Sequence, residues 1–162
     1  MNAKYLAQIR AQRTTDGDKA VWLPAEPEPV VMGMHGAVAD HYGLGNERKS
    51  HATTIDYVVA SAAACLMGTF GRALQARGVD LASAGLELDA TGHVVEDGGV
   101  LVLKRIEVRY RLDAPADQRD AIERAHAVHH RACPVSRSLE GSIEIETEVD
   151  IVCASAGGTR SP

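Results

Sequence analysis

Two cysteines in this 162-residue chain have surroundings that favour chemistry. Cys65 follows a run of residues with little side-chain volume, 60–64, so its sulfur should lie in a shallow depression. Cys133 precedes Pro134, which ends a helix and fixes the local backbone, so this thiol is held at a helix boundary. A thiolate is a nucleophile, and a sulfenate beside a second thiol is captured before it is over-oxidised. The combination predicts thiol redox chemistry.

Each cysteine also has an inert interpretation. A lone free cysteine is most often a buried core group, and a single Cys-Pro pair is weak evidence. Cys153 follows Val152 near the end of the last predicted strand, and we expect it to be passive. Three cysteines are too few for a disulfide scaffold.

The composition is that of an ordinary soluble domain, with 45% apolar and 24% charged residues. We expect one domain over residues 1–153 and a disordered tail over 154–162. The net charge of −5 argues against a nucleic-acid partner. The sequence shows neither an apolar run of about 18 residues nor a signal-peptide core, so we expect no membrane partner and a cytoplasmic location.

The longest predicted helix, 52–77, carries Cys65 at its middle. Thr53 or Thr54 can cap its start, and Gly78 can end it. Hydrophobic periodicity predicts a second helix and several half-buried strands, with residues 33–51 left as a long loop. The predicted strands cover 5–12, 19–23, 86–91, 106–112 and 143–151, and the second helix covers 113–131. This order predicts an α+β fold with an antiparallel sheet and helices on one face.

The Cys65 helix is apolar or small around most of its circumference from Val58 to Phe70. One small sheet covers only one side of such a helix. Either the second helix and the long loop cover the rest, or a second subunit does, and we favour the second subunit.

The chain resembles the OsmC/Ohr family, the osmotically inducible protein C and organic hydroperoxide resistance proteins. The resemblance rests on the motifs at residues 62–66 (AAACL) and 132–136 (ACPVS), and it covers about residues 3–152. It implies an intertwined homodimer in which antiparallel sheets wrap two long central helices and the active sites lie at the subunit interface.

The same resemblance implies a peroxidase without metal or organic cofactor. Cys65 would be the peroxidatic thiolate that reduces an organic hydroperoxide and becomes a sulfenate. Cys133 would resolve it to a Cys65–Cys133 disulfide, which an external dithiol, possibly of the lipoyl type, reduces. The alternative is a family dimer with little turnover that binds a small hydrophobic ligand in the interfacial pocket.

A thiolate of this kind needs a nearby cation, which the family supplies from an N-terminal arginine held by an acidic residue. We favour Arg13 beside the first predicted turn, over its rivals Arg10, Arg48 and Arg72. Asp56 occupies the position of the acidic residue in one subgroup. It could equally be an acid stabilised at a helix N-terminus.

The histidines fall in two groups. Those of the second predicted helix, His126, His129 and His130, include an i,i+4 pair that could bind metal with a third ligand, but a solvated helix end is the favoured interpretation. Those of the long loop, His35, His41 and His51, could line the mouth of a pocket.

Overall fold

The structure, a computed structural model, describes residues 3–44 and 51–153. The chain forms two compact units, Met1–Tyr57 and Val58–Pro162. The expected disordered tail, 154–162, and the rival cation Arg48 lie outside the described residues.

The first unit contains a three-stranded antiparallel sheet in the order β1-β2-β3. Its strands are β1 (Arg10–Arg13), β2 (Lys19–Trp22) and β3 (Val30–Met32). The predicted turn between the first two strands is confirmed, because Thr14 N–H donates to the Asp18 carbonyl at 2.8 Å and Gly17 takes a φ of 93°. β1 is shorter than the predicted strand over 5–12.

The segment expected to be a long loop holds a short helix, α1 (Gly36–His41). Ala39 of this helix is fully buried. The expectation that residues 33–51 form an irregular loop is therefore wrong for α1. Gly33, Gly36 and Gly43 lie in or close to these six residues, and so many glycines indicate a loop rather than a helix.

The long helix α2 (Thr54–Gln75) is confirmed, with both of its predicted ends. Thr53 and Asp56 form a capping box at its start, in which Asp56 N–H donates to Thr53 Oγ1 at 3.1 Å. Gly78 takes a left-handed φ of 79° after its end, and Val79 N–H closes on the Leu74 carbonyl at 3.2 Å.

Among the residues that the structure describes, only one face of α2 is covered. Five of its 22 residues are buried: Ala62, Leu66, Phe70, Gly71 and Leu74. The opposite face is solvent-exposed and consists mainly of small side chains, at Val58, Ser61, Ala64, Gly68 and Arg72. This exposed face is called the outer face of α2.

By length and composition alone, α2 could cross a membrane, which corrects the expectation that no segment is long enough. One such helix is weak evidence of a membrane span, because the core helix of a soluble protein passes the same test. Leu66, Phe70 and Leu74 are fully buried, as in a core helix.

The second unit contains a three-stranded sheet in the order β4-β5-β6. Its strands are β4 (Glu87–Asp97), β5 (Val100–Ala114) and β6 (Glu144–Cys153). β4 and β5 form an antiparallel hairpin, but β6 pairs with β5 in parallel, in register from Arg105↔Glu144 to Ala114↔Cys153. The predicted α+β fold is confirmed, and the wholly antiparallel sheet is corrected in this pair. The reason is the helical crossover between β5 and β6, which returns the chain to the end at which β5 began.

The predicted second helix is divided in the structure. The α-helix proper is α4 (Arg119–His129), and a 3₁₀ turn flanks it on each side, at Ala116–Gln118 and His130–Ala132. Two short helices were not predicted: α3 (Leu81–Ala84) before β4, and α5 (Pro134–Leu139) after Cys133. Pro134 therefore occupies the first turn of a new helix, where its missing N–H is not needed, as well as following the old one.

Candidate active site

The two cysteines that are predicted to carry the redox chemistry lie beside each other in the second unit. Cys65 is on α2 and half-buried, Cys133 is fully buried at the start of α5, and both are free thiols. The side chain of Cys65 acts on the pKa of the Cys133 thiol, so the two side chains lie close to each other. Thr69, one turn further along α2, donates from Oγ1 to the carbonyls of Leu66 at 3.0 Å and Cys65 at 3.2 Å. The structure thus brings the predicted pair together, and the roles of the two thiols stay predictions.

The Cys133 sulfur is held by its own helix. Cys133 is the N-cap of α5, and its Sγ accepts the Ser136 backbone N–H at 3.4 Å. Burial raises the pKa of the Cys133 thiol. The hydrogen bond from Ser136 opposes this, but the hydrogen bond and charge of Cys65 add to it, and the net pKa is raised.

Four rings pack next to this pair, from Phe70 of α2, Tyr110 of β5, and His126 and His129 of α4. The Phe70 ring lies 4.6 Å from the Tyr110 ring and 4.9 Å from the His129 ring, centroid to centroid. His126 and His129 stack at 5.3 Å. Tyr110, Phe70 and His129 are among the most deeply buried side chains of the chain. We call these four residues the ring cluster.

The hydrogen bonds of His129 fix its tautomer. His129 Nδ1 lies 2.7 Å from the His126 carbonyl, which can only accept, so Nδ1 carries the proton. In the neutral ring Nε2 is then an acceptor. Its partner at 2.8 Å is the Tyr110 hydroxyl, which therefore donates.

The ring cluster stays uncharged near neutral pH. Burial lowers the pKa of His129 to about 4, and burial and the charge of His130 lower the pKa of His126. Burial raises the pKa of Tyr110, and charge on Cys133 raises it further, which places the tyrosine close to that thiol. His126 Nε2 is buried without a hydrogen-bond partner among the described residues.

The favoured interpretation of these histidines as a solvated helix end is therefore wrong for His126 and His129, and it holds only for the exposed His130. The spacing i,i+3 of the two packed histidines was visible in the sequence. Their partner Tyr110 lies in another element, and no local pattern indicates it. Among the residues that the structure describes, no group of three potential ligands could hold a metal ion.

Asp56 lies at the start of α2, where its carboxylate accepts three hydrogen bonds. They come from Thr53 N–H at 2.7 Å, Thr53 Oγ1 at 2.9 Å and His35 Nε2 at 2.9 Å. Partial burial acts to raise the pKa of Asp56, but the bonds from Thr53 and His35 outweigh it, and the pKa is lowered. Asp56 thus has the structural role of a helix-capping acid, and its catalytic role stays a prediction.

The remaining sequence-predicted residues lie on the surface. Arg13 is exposed at the end of β1, and Arg10 places its guanidinium 5.1 Å from the Trp22 ring. Arg72 is exposed on the outer face of α2. His51 pairs with Asp18 at 3.8 Å. His41 packs edge-on against Tyr42. Cys153 ends β6, and its side chain lies outside the described part of the structure.

Comparison with known proteins agrees with this architecture. The family model described as OsmC-like protein matches residues 46–148. The chain therefore belongs to the OsmC family. No curated protein sequence matches it significantly.

Several solved structures share the fold at low identity. One is similar at a TM-score of 0.72 and 15% identity, covering 93% of this chain and 99% of the other: an OsmC-like protein from Mycoplasma pneumoniae. The organic hydroperoxide resistance protein OhrB of Bacillus subtilis is similar at 0.62 and 15%, covering 91% and 100%. A third, described as a putative organic hydroperoxide resistance protein from Vibrio cholerae with captopril in one of its active sites, is similar at 0.65 and 16%, covering 92% and 94%.

The neutral, buried His129 predicts loss of stability in mild acid. Its pKa is about 4 when folded and ordinarily 6.5, so between these values the unfolded chain binds more protons. The contribution of His129 to the free energy of unfolding should therefore fall as the pH is lowered through this window, by on the order of 2 kcal/mol. Urea unfolding of the native protein and of His129→Gln, at about pH 7.5 and pH 4.5, measures the difference.

The matched control is His130→Gln, because His130 directly follows His129 in the chain but is exposed. That variant should keep most of the pH dependence of the native protein, because the charge of His130 is the smallest of the causes that act on the pKa of His129. Equal pH dependence in His129→Gln and the native protein would contradict the prediction.

Proposed function

We propose that this OsmC family member is a thiol-dependent peroxidase that reduces organic hydroperoxides. The observation that carries the proposal is the pair of free thiols at Cys65 and Cys133, which lie close enough to act on each other. Fold relatives described as organic hydroperoxide resistance proteins support the substrate class. The proposal requires no metal or organic cofactor, and a reducing compartment such as the cytoplasm would supply the dithiol.

Burial and protonation support the assignment of roles. Cys133 is fully buried, and its raised pKa keeps it a thiol, so it is poorly suited to attack a peroxide. Cys65 is half-buried and open to a small molecule. Cys65 first gives its proton to solvent, and the thiolate attacks the terminal oxygen of the hydroperoxide. The O–O bond breaks, the leaving alkoxide takes a proton from solvent and departs as the alcohol, and Cys65 becomes a sulfenic acid.

The second step joins the two sulfurs. The Cys133 sulfur attacks the Cys65 sulfenic acid, the S–S bond forms, and the hydroxyl leaves with the Cys133 proton as water. An external dithiol, of the lipoyl type in our proposal, exchanges with this disulfide and returns both thiols while it is itself oxidised.

Single substitutions should separate the two thiols. Cys65→Ser should abolish consumption of cumene hydroperoxide, because a hydroxyl is no comparable nucleophile near neutral pH. Cys133→Ser should still form the sulfenic acid, which then lacks a partner, accumulates and reacts with dimedone. Mass spectrometry after one equivalent of hydroperoxide measures both results, and in the native protein it should show a Cys65–Cys133 link.

Cys153→Ser is the control and should behave as the native protein does. A dimedone adduct in Cys65→Ser together with an inert Cys133→Ser would reverse the roles. A dominant disulfide through Cys153 would contradict the pairing.

Arg13 is the proposed cation for the Cys65 thiolate, with Asp56 as the acid that orients it. Arg13→Gln should slow sulfenate formation by about tenfold or more, because the developing charge loses its counterion, and should leave reduction of the disulfide unchanged. Stopped-flow measurement of each step tests this. Arg10→Gln, in the same exposed strand, is the matched control, and equal rates for the two variants would exclude Arg13.

The contacts of Asp56 favour a second candidate function. Thr53 and His35 already hold one oxygen of its carboxylate, Oδ2, which would suit a family dimer with little turnover that binds a small hydrophobic ligand in an interfacial pocket. In that case the native protein would consume no hydroperoxide with any dithiol, while still binding apolar ligands in equilibrium dialysis.

We also propose that the outer face of α2 packs against the same face of a second copy. Ala64 and Gly68 leave room for another helix backbone to approach closely, and both are exposed among the residues that the structure describes. The Vibrio cholerae relative is described as having more than one active site, which supports an assembly of copies.

Enlarging one of these small residues should disrupt the dimer. An added Cβ at Gly68 meets no described atom within 4 Å, so we expect Gly68→Leu to act mainly on a partner helix at this face. Sedimentation at micromolar concentration should give a dimer for the native protein and a weaker dimer for Gly68→Leu. Ala127→Leu, at an exposed small residue of α4, is the control and should not change the assembly. A native monomer of 17.2 kDa would contradict the proposal.

A further inference from the structure

The bond between Tyr110 and His129 joins the last third of β5 to the last residue of α4. Tyr110 is fully buried and His129 is 2% exposed, so water does not compete for the bond. The phenol donates to Nε2 at 2.8 Å, and the other ring nitrogen donates to the His126 carbonyl at 2.7 Å. Both imidazole nitrogens are thus satisfied, and the ring has one orientation.

The chain runs from this fixed point to Cys133 through a single turn. The 3₁₀ turn His130–Ala132 follows His129 directly, and Cys133 N–H donates to the His130 carbonyl at 3.1 Å. The Cys133 sulfur is then held from the other side by Ser136 N–H. Any shift of the end of α4 away from β5 would therefore move the Cys133 backbone.

The ring cluster is unsuited to take the Cys133 proton. His129 Nε2 already accepts the Tyr110 hydroxyl, and a ring whose pKa is about 4 would not hold a proton taken from a thiol. The disulfide-forming step needs no such base, because the hydroxyl that leaves Cys65 carries the Cys133 proton away as water. The contribution of the pair is therefore geometric.

We propose that Tyr110 and His129 are positioning residues for the resolving thiol: their hydrogen bond holds the end of α4 on β5 and so keeps Cys133 beside Cys65 for disulfide formation. The inference rests on the proposed function, since it assigns these residues to the second step of that reaction. It predicts that weakening the bond slows disulfide formation and leaves sulfenate formation unchanged.

Three variants dissect the bond. Tyr110→Phe removes the donor and keeps the ring. His129→Asn keeps a donor near the position of Nδ1 and loses the acceptor, whereas His129→Gln keeps an acceptor near the position of Nε2. Ile122→Val is the matched control, because it loosens another fully buried side chain of α4 and leaves the bond intact.

Two oxidants separate this inference from the proposed function. Cumene hydroperoxide tests both steps, with sulfenate formation followed by dimedone trapping and disulfide formation by peptide mapping over time. Diamide oxidises two neighbouring thiols to a disulfide and is itself reduced to a hydrazine, so its rate reports the placement of Cys133 without any peroxidase step. Circular dichroism confirms that each variant is folded.

We expect Tyr110→Phe and His129→Asn to slow disulfide formation about tenfold with either oxidant, and His129→Gln to retain most of the native rate. The double variant Tyr110→Phe/His129→Asn should be no slower than either single variant, because both remove the same bond. Sulfenate formation should be unchanged throughout, and Ile122→Val should match the native protein in both steps.

Native disulfide rates in Tyr110→Phe would overturn the inference, as would equal slowing in Ile122→Val. If the native protein ignores hydroperoxide but the diamide rates keep the expected order, the proposed function fails and the positioning role stands. If hydroperoxide is consumed but the diamide rates show no such order, the positioning role fails and the peroxidase stands.

Discussion

Phe70 packs on the Tyr110 and His129 rings, and this contact connects the three elements that carry the candidate chemistry. Phe70 follows Cys65 by little more than one turn of α2, Tyr110 lies in the central strand of its sheet, and His129 precedes Cys133 by one short turn. Aromatic pairs at these distances add about 0.5–1.5 kcal/mol each beyond the area that they bury. The packed rings thus hold α2, β5 and α4 together beside the two thiols.

The sequence predicted well where one local pattern decides the structure. The start and end of α2 follow from Thr53 and Gly78, whose effects depend on adjacent backbone groups. The alternation in β6 predicts a half-buried strand in the same way. The alternation does not predict the direction of pairing, because a period of two is common to parallel and antiparallel neighbours. The parallel pairing with β5 follows from the helical crossover between the two strands, which the alternation does not show.

In the candidate site, too, the sequence predicts the features that depend on adjacent residues and misses those that join distant elements. Cys65 and Cys133 could be singled out from their immediate neighbours, yet the Tyr110–His129 bond spans two elements and leaves no local trace. Asp56 shows a further difficulty, since one carboxylate can cap a helix and orient a cation, and both tasks demand the same residue type in the same place. The sequence can therefore identify such a residue without separating its roles.

The N-cap position of α5 holds a sulfur atom where helices usually have an oxygen. Helix starts favour side-chain oxygen, from serine, threonine, aspartate or asparagine, because oxygen accepts the free N–H groups of the first turn strongly. Sulfur is a weak acceptor, and the Ser136 N–H reaches it only at 3.4 Å. Cysteine is thus a poor cap for this helix, and Pro134 supplies part of the missing order by fixing its own φ. This position gives up the stronger oxygen cap for a sulfur, as the proposed role of Cys133 in disulfide formation requires.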